Sequence, residues 1–275
     1  MKRKLDIMSV AGLAIGLVLL VLGIVLFKNP TDEGGGYQIL GSNLETFFNL
    51  PSVIIVLGGT VAVLMLSFPL EQFARVPKHI RIIFMPQQFV PEEYIAKLVE
   101  CSKRARISGL LALEEDVKSI KNAFLRNSLQ MIVDSVDPEK VVAQMDIWCQ
   151  SLDERHYQER AFYDKGAQLA PALGLVGTLI GLINMFRNLS DLSTVGFNMA
   201  VALVTIFYGA FLAYFVFSPI SNKLRVRHDE EYLCMEIVHV GIQAIQSGEN
   251  PNLIQEKLEH LLPAYRQKEL PVKQD

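Results

Sequence analysis

Four long runs of uncharged, mostly apolar residues divide the chain. They cover residues 7–27, 53–68, 166–186 and 195–222. A helix of about 20 apolar residues is long enough to cross a bilayer, so the first, third and fourth runs reach spanning length. The second run, at about 16 to 18 residues, is marginal, because a short span needs a thinner bilayer or little tilt. We predict four transmembrane helices.

The first run is preceded by Lys2, Arg3 and Lys4, which is also how a signal peptide begins. Its apolar stretch of about 21 residues exceeds the usual core of a signal sequence. No cleavage site of small residues follows it, because Phe27 leads directly into Lys28. We therefore expect the run to remain as a helix.

The segments between the runs differ in length and in charge. Segments 28–50 and 188–194 are short. Of the 26 Lys and Arg residues, only Lys28 and Arg187 lie in or next to these two segments, and the other 24 lie on the opposite side of the membrane. Because segments rich in Lys and Arg stay in the cytoplasm, we expect both termini to be cytoplasmic. Segment 69–165 is too long to lack structure of its own, so we predict a cytoplasmic domain there.

Helical spacing recurs in the predicted cytoplasmic segments. We predict that one helix begins at Pro91 and is capped at its C-terminal end by Gly109. A second helix is expected from about Ala112. Further helices are predicted at 122–135, 139–165 and 251–262, and the fourth run is expected to continue past its last apolar residue. No strand-like alternation is sustained. The predicted fold class is therefore all-α, a polytopic membrane protein with four transmembrane helices and a helical cytoplasmic domain.

This pattern divides the chain into four segments. Residues 1–68 hold transmembrane helices 1 and 2 with a short outside loop, and 69–165 form the helical cytoplasmic domain. Residues 166–222 hold transmembrane helices 3 and 4, and 223–275 form a helical cytoplasmic tail.

Composition and motifs exclude several classes of function. Apolar residues make up 51% of the chain and charged residues 20%, which is too apolar for an ordinary soluble protein. The net charge of −3 says little about partners, because the charges are sorted between the two sides of the membrane, and we expect no nucleic-acid partner. Phosphate-loop, nucleophile-elbow and zinc-protease motifs are absent, so we expect no enzyme. Three widely separated cysteines, Cys101, Cys149 and Cys234, favour free thiols. We expect no metal site and no cofactor.

A few polar or small residues interrupt the long inner runs. Thr178 is the only hydroxyl of the third run, and the fourth offers Thr205 and Tyr208. Hydrogen bonds between helices are the simpler explanation, and an ion pathway is the alternative. Pro171 and Pro219 lie near the cytoplasmic ends of these runs, where they predict kinks at similar depth.

Several segments together resemble the MotA/PomA family, the larger subunit of the ion-driven flagellar stator. They are VIIVLGGTVAVL at 53–64, KRARISGLLALEED at 103–116, DERH at 153–156, APALGLVGTLIGLINM at 170–185, MAVALVTIFYGA at 199–210 and AIQSGENPNLI at 244–254. The resemblance covers most of the chain. It implies five copies of this chain around two copies of a MotB/PomB-type partner, whose aspartate carries H⁺ or Na⁺.

The resemblance also implies roles for residues that match the family's motifs. Arg106, Glu114 and Glu115 match the charged residues that bind the rotor protein FliG. Pro171 and Pro219 match its coupling prolines, and Thr178 matches the pathway threonine of sodium motors. The sequence departs from many relatives at Ile107, where some have Lys, and at Ile206, where many have Thr.

Two other classes of function are open from the sequence. An ExbB/TolQ-like energiser has three spans and acts on a periplasmic partner. A self-sufficient ion channel or transporter needs its own ionisable group in the membrane, and the third and fourth runs contain none. Four spans and the segment LALEED favour the stator.

Overall fold

The computed structural model describes residues 5–27, 38–187 and 189–267, and within these ranges the chain is almost entirely helical. The helices are α1 (Ile7–Val25), α2 (Asn43–Thr46), α3 (Leu50–Val53), α4 (Gly59–Ser67), α5 (Leu70–Phe84), α6 (Pro91–Ser108), α7 (Glu114–Ser119), α8 (Ala123–Val133), α9 (Pro138–Arg187), α10 (Leu192–Phe211), α11 (Ser218–Gln246), α12 (Pro251–Glu259) and α13 (Ala264–Gln267). The all-α fold class is confirmed.

Three irregular turns and one short pairing complete the described structure. Wide π-helical turns at Ile54–Gly58 and Leu212–Phe217 join α3 to α4 and α10 to α11, and a 3₁₀ turn at Leu110–Leu113 leads into α7. Strands β1 (Leu26–Phe27) and β2 (Gln38–Ile39) pair antiparallel over two residues each. This pairing is too short to change the fold class.

Four helical stretches are long and apolar enough to cross a membrane. They are Ile7–Val25, Leu50–Ser67 and parts of Pro138–Arg187 and Ser193–Gln246. The marginal second run gains length because helix begins at Leu50, where Asn49 caps the N-terminus and Pro51 stands in the first turn. The chain is a multi-pass membrane protein with four spans.

Helix α9 joins two elements that the sequence suggested as separate. The predicted helix 139–165 and the third span form one continuous helix of 50 residues, about 75 Å long. Gly166, at the predicted boundary, is helical and lies against the ring of Phe217, where an added Cβ would be 2.5 Å from a ring carbon. Packing therefore keeps this glycine helical where the sequence allowed a break.

The first unit comprises Met1–Gln87 and Gln158–Arg225 and contains the four spans. Near the ends of its helices, Leu64, Phe162, Tyr163 and Leu224 form a buried cluster. Phe68 and Phe73, from α4 and α5, pack edge-on against the ring of Phe162 at centroid distances of 5.4 and 5.0 Å. Edge-to-face contacts of this kind favour one packing arrangement of the helices.

The second unit comprises Gln88–Tyr157 and Val226–Asp275. Its core is formed by apolar residues of α6, α7, α8 and α12 with the adjoining parts of α9 and α11. The fully buried side chain of Leu98 packs against Gly241, where an added Cβ would lie 2.7 Å from the Leu98 Cδ1. Each unit takes two separate stretches of sequence, and the division of the chain into four segments stays a prediction.

The predicted helix limits in this unit agree closely with the structure. Pro91 stands at the start of α6, and Gly109 ends it with φ 81°, a conformation that glycine adopts without strain. Asn122 caps α8 through a hydrogen bond from the Leu125 amide. Acidic residues fill the first turn of α7, where they interact favourably with the helix dipole.

Candidate functional site

Spans three and four approach each other at a row of glycines. An added Cβ at Gly174 would lie 2.9 Å from the carbonyl oxygen of Thr205, and one at Gly181 would lie 2.8 Å from that of Asn198. At Gly177 it would lie 2.5 Å from the Thr205 side chain. Glycine therefore permits close backbone packing, which is typical of membrane helix pairs.

Two of the predicted pathway residues meet at this close packing. The Thr178 hydroxyl lies 2.9 Å from the carbonyl oxygen of Ala202 and 3.1 Å from that of Gly174. Its oxygen is 3.4 Å from the hydroxyl oxygen of Thr205, which itself lies 3.0 Å from the Ala202 carbonyl. Thr205 is fully buried and Thr178 is partly exposed. The pair gathers hydroxyl and carbonyl oxygens, which are ligands for hard cations.

Tyr208, the third predicted pathway residue, has a different partner. Its hydroxyl donates to the carbonyl oxygen of Phe47 at 2.5 Å, and Phe47 packs edge-on against the neighbouring Phe207. The bond connects span four to the short segment that follows α2. The structure thus brings Thr178 and Thr205 together and gives Tyr208 a hydrogen bond elsewhere.

The two prolines of spans three and four have different neighbours. Pro171 is level with Gly209, where an added Cβ would be 3.1 Å from the Pro171 Cα. Pro219 follows ten residues later in the fourth span, about 15 Å along the helix, near Ser221, whose hydroxyl donates to Asp164 at 2.5 Å. The expectation of kinks at similar depth stays a prediction.

Pro219 stands directly after a distorted stretch of helix. It is the second residue of α11, and the π-helical turn Leu212–Phe217 precedes it. Proline has no amide hydrogen, so its helix leaves a carbonyl group one turn earlier without its usual partner. Kinks are common where π turns and prolines interrupt the hydrogen-bond ladder. The coupling role of both prolines stays a prediction.

The residues matched to rotor binding lie on two consecutive helices of the second unit, α6 and α7. Arg106, Glu114 and Glu115 are all exposed, on α6 and in the first turn of α7. The Lys118 ammonium lies 2.9 Å from a Glu114 carboxylate oxygen and lowers the pKa of that carboxyl. The structure therefore leaves charges of both signs accessible on either side of the turn between α6 and α7.

A buried carboxylate joins the two helices that carry these charges. Asp116 is 8% exposed, and its carboxylate accepts from Arg104 at 2.7 Å and from Lys97 at 3.3 Å. These contacts join α6 to α7 across the Gly109 turn. A carboxylate that binds two cations in a partly buried setting fixes local geometry more firmly than an exposed pair does.

Sequence reasoning missed a polar cluster near the end of span three. His79 is 1% exposed, and its Nδ1 lies 2.9 Å from the Tyr163 hydroxyl. Glu159 lies 3.5 Å from the other ring nitrogen, and Arg75 lies 3.6 Å from Glu159. The amphipathic pattern of residues 70–84 is the sequence signal that could have indicated this cluster, since it places His79 on the apolar face of α5. Among the described residues no group of three or more His, Cys, Asp or Glu is arranged to hold a metal ion.

Comparison with known proteins assigns these features to one family. A model of the MotA/TolQ/ExbB proton channel family matches residues 116–237. The chain is 38% identical to chemotaxis protein PomA of Vibrio alginolyticus over 82% of this chain and 88% of PomA. The chain belongs to the MotA/TolQ/ExbB family. Within that family it is also 32% identical to motility protein A of Treponema pallidum, over 97% of both chains.

A solved structure of the family extends the comparison to three dimensions. The chain superposes on a chain of the flagellar MotAB stator complex from Bacillus subtilis with a TM-score of 0.81 and 28% identity. The superposition covers 96% of this chain and 99% of the other. The likeness therefore includes both units, as expected for a member of the MotA/TolQ/ExbB family with the same fold throughout.

Proposed function

We propose that this chain is the A subunit of a flagellar motor stator, which couples the flow of H⁺ or Na⁺ to torque on the rotor. The observation that carries the proposal is its likeness, over nearly the whole chain, to a subunit of a flagellar MotAB stator complex. The likeness to motility protein A and PomA supports the same assignment. The chain performs mechanical work in this role and catalyses no bond chemistry.

The membrane spans support a dependence on a partner. The third and fourth spans contain no Asp, Glu, Lys, Arg or His between residues 167 and 186 or between 192 and 222. An ion that crosses the bilayer needs an ionisable group on its path, so a MotB/PomB-type chain supplies the carboxylate. Five copies of this chain around two partner chains is the assembly that the resemblance implies.

Apolar side chains on spans three and four are available for this assembly. Leu175, Leu179 and Ile183 on α9 are 57%, 51% and 57% exposed, and they recur at helical spacing. Leu203 on α10 is 61% exposed. In the proposed complex these residues contact partner helices, neighbouring copies or lipid, and Thr178 and Thr205 lie beside the ion's path.

Torque requires contact with the rotor and a conformational step in the spans. Arg106, Glu114 and Glu115 bind FliG in this proposal, and Pro171 and Pro219 permit the step. One elementary charge that moves through 100 mV releases about 2.3 kcal/mol, so each ion drives only a small rearrangement. Both termini lie in the cytoplasm of a bacterium, and the spans lie in its inner membrane.

Swimming tests the proposal and distinguishes the ions. A deletion strain that expresses this chain with its single-span partner should regain motility, and lack of swimming would contradict the stator assignment. If the ion is Na⁺, speed rises with sodium and survives a protonophore. We then expect Thr178→Val to lower the speed at limiting sodium more than Thr178→Ser, since serine keeps the hydroxyl near Ala202. If the ion is H⁺, the protonophore stops swimming and sodium has no effect.

A further inference from the structure

The turn between α6 and α7 exposes two large aliphatic side chains. Ile107 is 85% exposed and Leu111 is 73% exposed. They are the two most exposed large apolar side chains among the described residues of the second unit. Residues 107–111, which we call the 107–111 turn, therefore present apolar surface that the unit's own core does not use.

The 107–111 turn is held in place by its neighbours in sequence. Leu113 is fully buried, and Leu110 packs against the same core. The Gly109 amide donates to the Ala105 carbonyl at 2.9 Å, and the Ala112 amide donates to Gly109 at 3.2 Å. An apolar group that is fixed before binding loses less entropy when a partner covers it.

Charges of opposite sign flank the two apolar side chains. Arg106 precedes Ile107 and makes no ion pair with any residue in the described part of the chain, whereas Glu114 and Glu115 follow Leu111. The Cα atoms of residues 107 and 111 are at most about 14 Å apart, so one standard protein interface covers both side chains and their charged neighbours. An apolar centre with a polar rim is the usual anatomy of such an interface.

We propose that Ile107 and Leu111 are the apolar anchor of the surface that binds the rotor protein, and that Arg106, Glu114 and Glu115 form its charged rim. The inference rests on the proposed function and deepens it. The partner surface that fits has apolar side chains with carboxylates on one side and Lys or Arg on the other. The anchor supplies affinity, and the rim sets orientation and the rate of encounter.

Two other occupants fit the surface less well. An anionic lipid surface attracts Arg106 but repels Glu114 and Glu115, which are also exposed a few residues further along the chain. In a ring of five copies each contact joins two different patches, so identical 107–111 turns do not meet each other. A protein partner with both signs of charge satisfies the whole surface.

Binding of the purified stator complex to the rotor protein tests the inference. This chain and its single-span partner are purified together in nanodiscs, and the dissociation constant for the rotor protein is measured at several salt concentrations. We expect Ile107→Ser and Leu111→Ser each to weaken binding at least about fivefold, with an unchanged salt dependence. Arg106→Gln should weaken the salt dependence. Ile147→Ser, which changes a 57% exposed residue on α9, is the matched control and should bind like the wild type.

The outcomes distinguish failure of the inference from failure of the proposed function. If the wild-type complex binds and Ile107→Ser and Leu111→Ser bind equally well, the anchor is overturned and the stator assignment stands. If the wild-type complex neither binds the rotor protein nor restores swimming, both are overturned. Loss of the assembled complex in Ile107→Ser by native mass spectrometry points to a second copy as occupant. Binding to anionic vesicles that requires Ile107 points to lipid, and either result contradicts the inference.

Discussion

At the scale of single residues, the absence of a side chain determines how spans three and four pack. Gly209 lies where an added Cβ would be 2.7 Å from the Ala170 carbonyl oxygen, a backbone atom that cannot rotate away. The same helix pair holds Thr178 and Thr205 within 3.4 Å of each other. Their relative position depends on this close approach, so a glycine that touches neither hydroxyl still sets the geometry of the candidate site.

Gly209→Ala should destabilise the membrane unit. The new methyl group must push α9 and α10 apart, which costs on the order of 1–3 kcal/mol as overpacking. We expect a lower melting temperature of the detergent-solubilised complex, together with slower swimming. Gly12→Ala is the matched control, because an added Cβ there meets no atom within 4 Å. Equal melting temperatures for the two variants would show that the backbone contact carries no stability.

At the scale of elements, one charged residue secures the start of α1. The Asp6 carboxylate accepts from the Ser9 amide at 3.2 Å as an N-cap, and its other oxygen lies 2.6 Å from Lys223 of α11. The Asp6 amide donates to the Phe84 carbonyl at the end of α5. Three helices thus meet at this residue, although α1 buries only Val25.

Substitutions of Asp6 should distinguish the stability contributed by the N-cap from the stability contributed by the ion pair with Lys223. Asp6→Asn retains a good N-cap and loses the charge, so we expect a cost of at most about 1 kcal/mol. Asp6→Ala loses both and should cost about 1 kcal/mol more. Melting temperatures of the solubilised complex measure the difference, and Asp6→Asn/Lys223→Met should cost less than the sum of its single changes. A strictly additive double variant would mean that the pair contributes nothing.

Much of the element pattern could be predicted from the sequence, because apolar runs and helix caps are local signals. The four spans, the α6 cap at Gly109 and the α8 cap at Asn122 follow from residues within a turn of each end. Helix α5 was missed, since Pro77 in its middle indicates a break, and contacts of Phe73 and His79 with span three stabilise it there. Such contacts between distant segments leave no local trace in the sequence.

In the candidate site, too, single residues can be recognised from the sequence, whereas the contacts between them depend on the fold. Thr178 and Thr205 are noticeable in the sequence because hydroxyls are rare in those spans, but their pairing depends on the approach at Gly177. The charges of Arg106 and Glu115 are visible in the sequence, whereas the link from Arg104 and Lys97 to Asp116 needs the folded turn. The relative depth of Pro171 and Pro219 depends on how two helices align, and no local signal in the sequence gives that alignment.

At the scale of the whole molecule, titratable groups are buried in the core of the second unit. All three cysteines are free thiols, as predicted, and Cys101 and Cys234 are 0% and 2% exposed. Burial raises the pKa of Cys101 to about 11 and that of Cys234 to about 12. Burial also raises the pKa of Tyr94 to about 12. These groups are stable when neutral, so the core resists deprotonation until the solution is strongly alkaline.

Stability should fall as the pH rises above about 9. A thiol whose pKa is higher in the folded than in the unfolded state contributes its full stability below the unfolded pKa and loses it as pH rises toward the folded value. We expect a loss of about 2 kcal/mol per thiol by pH 10.5. Melting temperatures of the solubilised complex between pH 8 and 10.5 measure the slope. The double variant Cys101→Ala/Cys234→Ala should start lower but decline less steeply, and an unchanged slope would assign the decline to other groups.

The π-helical turn at Leu212–Phe217 has a consequence for how the gene can change. A wide turn of this kind holds one residue more than an α-helical turn needs. Loss of a single codon within 212–217 would close the turn to ordinary helix and leave the side chains before and after it on their present faces. Loss of a codon elsewhere in the span would rotate one half against the other by about 100°, because each α-helical residue turns by that angle. Span four therefore has one short stretch where evolution can shorten it without rebuilding its contacts.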